Sequence, residues 1–385
     1  MKRREFLSMA AAAGASLAMP RAFGAEHANG GLASKLDAGA TADDSGKLLF
    51  LIELKGGNDG LNTVIPYADS TYYALREQIA IPRNRVLALD ACTALHPSLN
   101  ALLPLWRDGQ LAIVQGVGSM RDDSSHFRSR QIWDTASRAD VYRRDGWLTR
   151  ALDQCTRTGR NVATASFGCV EAGPFVRSTP ERATADSRMQ VDDPDVAVAG
   201  YADDDPVSRV ESDAAGLSRI EAPTFRASID RALRTAVDSS LRHDHGAIRL
   251  TLDGFDTHGN QPARHAALLA QLADGCAILR AELERRDRWR DTLIVTYSEF
   301  GRSARENGKR GTEHGGGAAH FVAGGLVRGG LYGRAPDLAR IDAHGRLPVD
   351  IDFRRLYATV LGAFWKLDVR RVLQDDVEPL PLLRT

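Results

Sequence analysis

The sequence predicts an α/β fold whose central sheet is mostly parallel and carries helices on both faces. Three observations lead there. Apolar runs that do not alternate with polar residues, at 48–54 and 292–297, read as strands buried on both faces, the habit of parallel sheets. Such runs alternate with stretches of helical spacing over most of the 385 residues. Four runs end in Gly-Asn-Asp, Gly-Ser…Ser-His, Asp-Gly-Phe-Asp-Thr-His and Ser-Glu. Open sheets of this kind bind ligands beyond the carboxyl ends of their strands.

Element by element, the chain begins with Lys2-Arg3-Arg4-Glu5-Phe6-Leu7 and an Ala-rich apolar run from Ser8 to Pro20. That run is too short to span a bilayer as a mature helix. With small residues near Ala22–Ala25 it predicts a cleavable export signal over 1–25. The paired arginines followed by Phe-Leu specify the twin-arginine route. The mature protein is then expected in the periplasm or outside the cell, exported folded, with the translocase as a transient partner. Residues 26–46 read as a flexible leader and 47–385 as the folded domain.

The first strand, 48–54, ends in the Gly-rich turn 55–62. Spacing predicts a helix from His96 to Asp108, a strand from Leu111 to Gln115, and a helix to Ser137 capped by Ser124 or Ser125. From Asp192 to Asp213 there are eight acids and one arginine, with Asp-Pro twice, which predicts a loop, lid or insertion. Helical spacing returns at 224–242. A strand at 247–252 follows, then a long amphipathic helix from Pro262 to about Arg286. After the strand at 292–297 comes a Gly-rich loop, and 353–366 reads as a closing helix.

Lys plus Arg equals Asp plus Glu, 50 each, so net charge favours neither nucleic acid nor an anionic membrane. No stretch after the signal approaches the ~18 apolar residues of a membrane helix. Cys92, Cys155, Cys169 and Cys276 contain no C-x-x-C pair, which argues against a thiolate zinc site and leaves disulfide pairing open.

The chemistry gathers at the strand ends. Asp253, Asp256, His258, Glu299, Glu313, His314 and His320 are candidates for one shared site, and Asp plus His is metal-ligand chemistry. Asp59 joins them from the turn after the first strand. Glu299 is a strand-end carboxylate, acceptable when buried only if paired or metal-bound. Around His314 and His320 the residues are small, so the loop is expected to be ordered by a ligand. His265 is a lesser metal candidate. Ser125, at a helix N-terminus, is a candidate nucleophile, and His126 could orient a substrate oxygen. There is no G-x-x-x-x-G-K-[ST] and no G-x-G-x-x-G at a strand–helix junction, which excludes the corresponding nucleotide sites.

The ordered motifs G-G-N-D-G-L-N, S-H-F-R-S-R-Q-I-W, F-D-T-H, S-E-F-G-R and G-T-E-H-G-G-G-A-A-H resemble the bacterial family called domain of unknown function 1501. The resemblance covers roughly 46–385. That family looks like a branch of the alkaline phosphatase and sulfatase superfamily. The resemblance therefore implies an alkaline phosphatase-like sandwich with one or two divalent transition metal ions, zinc or manganese, at the strand ends. It also implies hydrolysis of a small-molecule or polymer phosphate or sulfate ester. Carried over, Asp59 would be a metal ligand, Ser125 the nucleophile, and Asp256 with His258 the acid–histidine pair of one metal. Glu299 stands where that superfamily usually has Asp, and Phe300 where it has a ligand histidine. Either Glu313, His314 or His320 compensates, or one metal site is lost. The absence of C-x-P-x-R disfavours a formylglycine sulfatase. The alternatives are a non-catalytic periplasmic binding or assembly protein on the same fold, or a metal-bound structural protein.

Overall fold

The computed structural model describes residues 46–120, 125–177, 224–237 and 245–384. The expected signal at 1–25, the leader to residue 45, Ser124 and the acidic stretch at 192–213 lie outside the described residues. In chain order the strands are β1 (Lys47–Lys55), β2 (Val64–Ile65), β3 (Leu87–Ala88), β4 (Ala94–Leu95), β5 (Leu111–Gly118), β6 (Val162–Phe167), β7 (His245–Asp253), β8 (Thr292–Tyr297), β9 (Arg302–Glu306), β10 (Thr312–His314), β11 (Ala318–Gly324), β12 (Gly330–Tyr332) and β13 (Ile351–Asp352). The helices are α1 (Gly60–Thr63), α2 (Ser70–Leu75), α3 (Leu103–Arg107), α4 (His126–Thr135), α5 (Trp147–Arg157), α6 (Phe225–Val237), α7 (Gln261–Glu284), α8 (Arg354–Ala358) and α9 (Val369–Leu373).

The main sheet runs β12-β5-β11-β8-β1-β7-β6, with β13 also paired to β5. Its pairings are parallel except the two made by β11, which lies antiparallel between β5 and β8. β1 shows why the central runs are mostly apolar, its one buried charge, Glu53, being paired with Arg249. Leu49 and Leu51 face a core containing Trp133 of α4, Trp147 of α5 and Tyr357 of α8. Phe50, Ile52 and Leu54 face another containing Ile229 of α6 and Leu269, Leu272 and Leu279 of α7. Side chains alternate across a strand, so a strand covered on both sides has no polar face.

Three expectations are corrected. The stretch at 96–108 is not one helix but a 3-10 segment, Pro97–Leu102, followed by α3. Pro104 has no N–H to continue an α-helical ladder, and Leu99 leaves helical angles at φ −89°, ψ 15°. The closing helix is α8 followed by a π-helical turn, Thr359–Phe364. The Gly-rich stretch at 311–320 is not a loop short of packing partners. It forms β10 and enters β11, whose residues are all buried. Its glycines are required by close backbone contact: a Cβ on Gly316 would lie 2.3 Å from the Leu347 carbonyl oxygen.

None of the four cysteines forms a disulfide; Cys155 and Cys276 are buried and Cys92 is exposed. No helix among the described residues is long and apolar enough to cross a membrane.

Candidate metal centre

β7, β1 and β8 are neighbours in the sheet and parallel, so their carboxyl ends deliver three loops to one place. Gly56 turns the β1 loop at φ +113°, and a Cβ there would lie 2.4 Å from the backbone nitrogen of Asp256. Only glycine lets the two loops come so close. The Gly56 N–H donates to both oxygens of Glu299, at 3.0 and 3.1 Å. Ser298, beside it, accepts from the Asn58 N–H at 2.9 Å and donates to the Leu54 carbonyl at 2.7 Å. The short β9–β10 ribbon adds a fourth element, placing Arg302 opposite His314.

These elements, with the start of α4, bring three histidine side chains together around Asp256. His126, the first residue of α4, has Nε2 3.6 Å from Asp256 Oδ2. His258 has Nε2 3.0 Å from Asp256 Oδ1, and His314 has Nε2 3.5 Å from the same oxygen. The Nε2 atoms of His258 and His314 are 3.0 Å apart. The opposite ring nitrogens of two of these imidazoles meet carboxylates: His126 Nδ1 lies 3.0 Å from Glu299, and His258 Nδ1 lies 2.9 Å from Glu313. Asn307 donates to Glu313 at 2.7 Å; this bond first, and His258 after it, hold the Glu313 carboxyl below its usual range.

The hydrogen bonds assign the protons. A carboxylate accepts only, so Nδ1 of His126 and of His258 carries the hydrogen and Nε2 presents a lone pair. In that neutral form two lone pairs face one carboxylate, an arrangement that a positive charge relieves: Arg302 supplies one at Asp256 Oδ1 and His258, and a second proton or a metal ion would supply another. Ligating histidines characteristically donate their other N–H to a carboxylate. A tetrahedral ion with bonds near 2.0–2.1 Å spaces its ligand atoms about 3.3 Å apart. The three histidine–Asp256 separations and the His258–His314 separation, 3.0–3.6 Å, bracket that value. His126, Asp256 and His314 offer ligand atoms that all lie within 4.8 Å of one another, and His258 stands beside this group of three rather than within it. The donor set therefore fits a divalent transition metal.

Arg302 is the cation already built into this place, with its side chain fully buried. It donates to the carbonyls of Gly57 at 2.9 Å, Thr312 at 3.1 Å and Phe255 at 3.2 Å, and also to that of Gly56 and to Asp256 Oδ1. One of its nitrogens lies 3.4 Å from His258 Nε2. Burial pushes the Asp256 carboxyl up, but the Arg302 hydrogen bond and charge, with His258 and His126, outweigh it and hold the group below its usual range. Phe300 is buried beside the cluster, its ring 4.4 Å from that of His314 and 4.8 Å from that of His126.

The remaining candidates lie elsewhere. Asp59 is fully buried and accepts from Arg76 at 2.6 Å, from the Leu61 and Asn62 N–H groups, and from Gln261. It caps α1, and its lone pairs are taken. His320 sits in β11 with its ring 5.4 Å from Trp133, and neither ring nitrogen has a hydrogen-bond partner. Burial pushes its pKa down to about 3. His265 bonds Asn58 at 2.9 Å on the other side of the β1 loop. Asp253 is on the exposed rim, 3.8 Å from Lys55. Ser125 is exposed and is the N-cap residue of α4, but its side chain makes no capping bond. Arg302, Arg76 and Gln261 were not singled out by sequence; Arg302 alone had a local signal, as the last residue of the S-E-F-G-R run.

The chain resembles the family described as a protein of unknown function, DUF1501, whose model matches residues 232–376. That span contains Asp256, His258, Glu299, Arg302, Glu313 and His314. No curated protein matches the sequence. Solved structures similar to this chain include a phosphonate monoester hydrolase from Silicibacter pomeroyi, 13% identical, with 87% of this chain and 76% of that chain covered and a TM-score of 0.46. Another is a protein in the alkaline phosphatase superfamily from Vibrio parahaemolyticus, 10% identical, covering 86% and 71%, TM-score 0.41. A third is the periplasmic domain of a protein from Escherichia coli in complex with zinc, 9% identical, covering 74% and 75%, TM-score 0.38.

Proposed function

We propose that the chain is an exported metal-dependent hydrolase of phosphate or sulfate esters, with zinc or manganese held by His126, Asp256 and His314 and with His258 as a fourth donor. One observation carries the reading: two imidazoles, each braced at Nδ1 by a carboxylate, turn Nε2 toward the same Asp256. A divalent ion there supplies Lewis-acid polarisation of an ester oxygen. The chain itself supplies position. Ser125 lies one residue from His126 at the start of a ten-residue helix, exposed and with its hydroxyl unused as a cap. First-turn N–H groups and the helix dipole favour an anionic oxygen at that end. Those features support Ser125 as the attacking nucleophile.

The test is metal analysis of the natively exported protein, followed by turnover of aryl phosphate and aryl sulfate esters. Bound transition metal with turnover is expected, and Ser125→Ala should lose turnover while keeping the metal. Unchanged turnover in that variant removes Ser125 from the mechanism. Metal without turnover of any ester leaves the binding-protein reading. If no transition metal copurifies or binds, the metal-dependent reading is lost.

The Arg3-Arg4 pair supports export through the twin-arginine route, with the protein folded and its metal loaded before crossing. Replacing both with Lys should retain the full-length chain in the cytoplasm. Fractionation showing undiminished export would remove that route.

A further inference from the structure

We infer that the centre prefers singly charged tetrahedral esters, that is sulfate monoesters or phosphate diesters, over doubly charged phosphate monoesters. The inference rests on the metal reading above and deepens it. Three carboxylates contact the cluster: Asp256, Glu299 and Glu313. Among the described residues, Arg302 is the guanidinium that touches it. These groups together leave two negative charges, which one divalent ion cancels without excess.

Arg302 has nothing to offer a substrate. It is 1% exposed, and its nitrogens are engaged by the carbonyls of Gly56, Gly57, Phe255 and Thr312, by Asp256 and by His258. Among the described residues, the rim cations Lys55 and Arg130 are both committed to Glu171, at 3.0 and 3.4 Å, while Lys309 and Arg310, on the turn beside Gly259 and Gln261, are exposed to solvent, where their charge is screened. Lys55 also lies 3.8 Å from Asp253. An incoming anion therefore meets an ion whose charge the protein has already balanced. A substrate with one negative charge leaves one charge to the N–H groups at the start of α4. A substrate with two leaves twice that, and each uncompensated charge raises the cost of leaving water.

Binding and turnover test this separately. Metal-loaded protein is titrated at about pH 9.5 with methylphosphonate, a dianion there, and with its monomethyl ester, a monoanion of nearly the same shape. The monoester anion should bind about tenfold tighter or better, the order of effect of one charge at a partly screened site. Tighter binding of the dianion, or binding of neither, overturns the inference whatever the turnover. Tighter binding of the monoanion with no ester turned over keeps it and sinks the hydrolase reading. With turnover present, the kcat/KM ratio of 4-nitrophenyl phosphate to 4-nitrophenyl sulfate should rise as pH falls through about 6, where the phosphate dianion takes up one proton and becomes a monoanion. The sulfate ester does not titrate there and controls for changes in the enzyme. A ratio independent of pH overturns the charge argument, and separate turnover of a 4-nitrophenyl phosphate diester distinguishes the two monoanionic sources.

Discussion

Arg76→Met is expected to destabilise the fold by about 3–5 kcal/mol, the usual cost of removing one partner of a buried ion pair. Both side chains of the Arg76–Asp59 pair are fully buried, 2.6 Å apart. Methionine preserves much of the stem's volume, so the loss is mainly electrostatic. Asp59 would keep its two α1 amides and Gln261 but lose its counter-charge. The carbonyls of Ser303 and Ala304, which Arg76 bonds at 2.7 and 2.9 Å, would lose donors as well. Urea unfolding of wild type and variant checks this; a loss below about 1 kcal/mol would mean the pair is worth no more than a surface ion pair. The pair also has a pH signature. Burial pushes the Asp59 carboxyl up, but the charge and hydrogen bond of Arg76, with His265 and Gln261, outweigh it and hold the group below its usual value. The unfolded chain therefore takes up this proton before the folded one does. The pair's contribution is fully present above about pH 4 and is lost as pH falls through the lowered value. Wild type should lose this contribution between pH 4 and more acid conditions, and Arg76→Met should lack that part of the slope.

The parallel strands and α7 are legible in the sequence because each carries its own periodicity. β1 and β8 are mostly apolar and buried on both faces, and the buried stripe of α7 repeats at helical spacing through Leu269, Leu272, Leu279 and Leu283. β11 is not legible, because it opens on Ala318-Ala319 after three glycines and takes its place from neighbours far along the chain. Its small residues reflect the closeness of other backbones, and composition does not distinguish that from a loop awaiting a ligand. Asp59 and Asp256 look alike in sequence, each an acid in a glycine turn after a strand. What separates them is Arg76, which reaches Asp59 from 17 residues away out of a short helix with no periodic signature. The identity of the clustering residues is readable in Asp256, His258 and His314. Their division of labour is not, since whether a carboxylate faces the metal position or the Nδ1 of a ligand imidazole depends on ring orientation in the folded loops.

That division predicts an ordering of metal affinities. Asp256→Ala and His314→Ala should abolish stoichiometric metal binding, because each removes an atom of the central set. His126→Ala should do nearly the same, and His258→Ala less, since its Nε2 also faces Arg302 at 3.4 Å. Glu299→Gln and Glu313→Gln should keep the ion but bind it about 10–100-fold more weakly, the effect of losing a carboxylate behind a ligand histidine. A glutamine oxygen can still accept from Nδ1–H, but without the charge that makes Nε2 a better donor. Asp59→Asn and His320→Phe should leave affinity within about twofold of wild type, because neither side chain reaches the cluster. His320→Phe should also not lower stability, since it replaces two ring nitrogens that have no hydrogen-bond partner with apolar edge of similar shape. Competition titration against a chromophoric chelator measures the whole series on one scale. Loss of metal in Asp59→Asn with the fold intact would move the centre to the other side of the β1 loop. Equal losses for Glu299→Gln and Asp256→Ala would make Glu299 a ligand, and would turn His126 back into a residue that faces substrate.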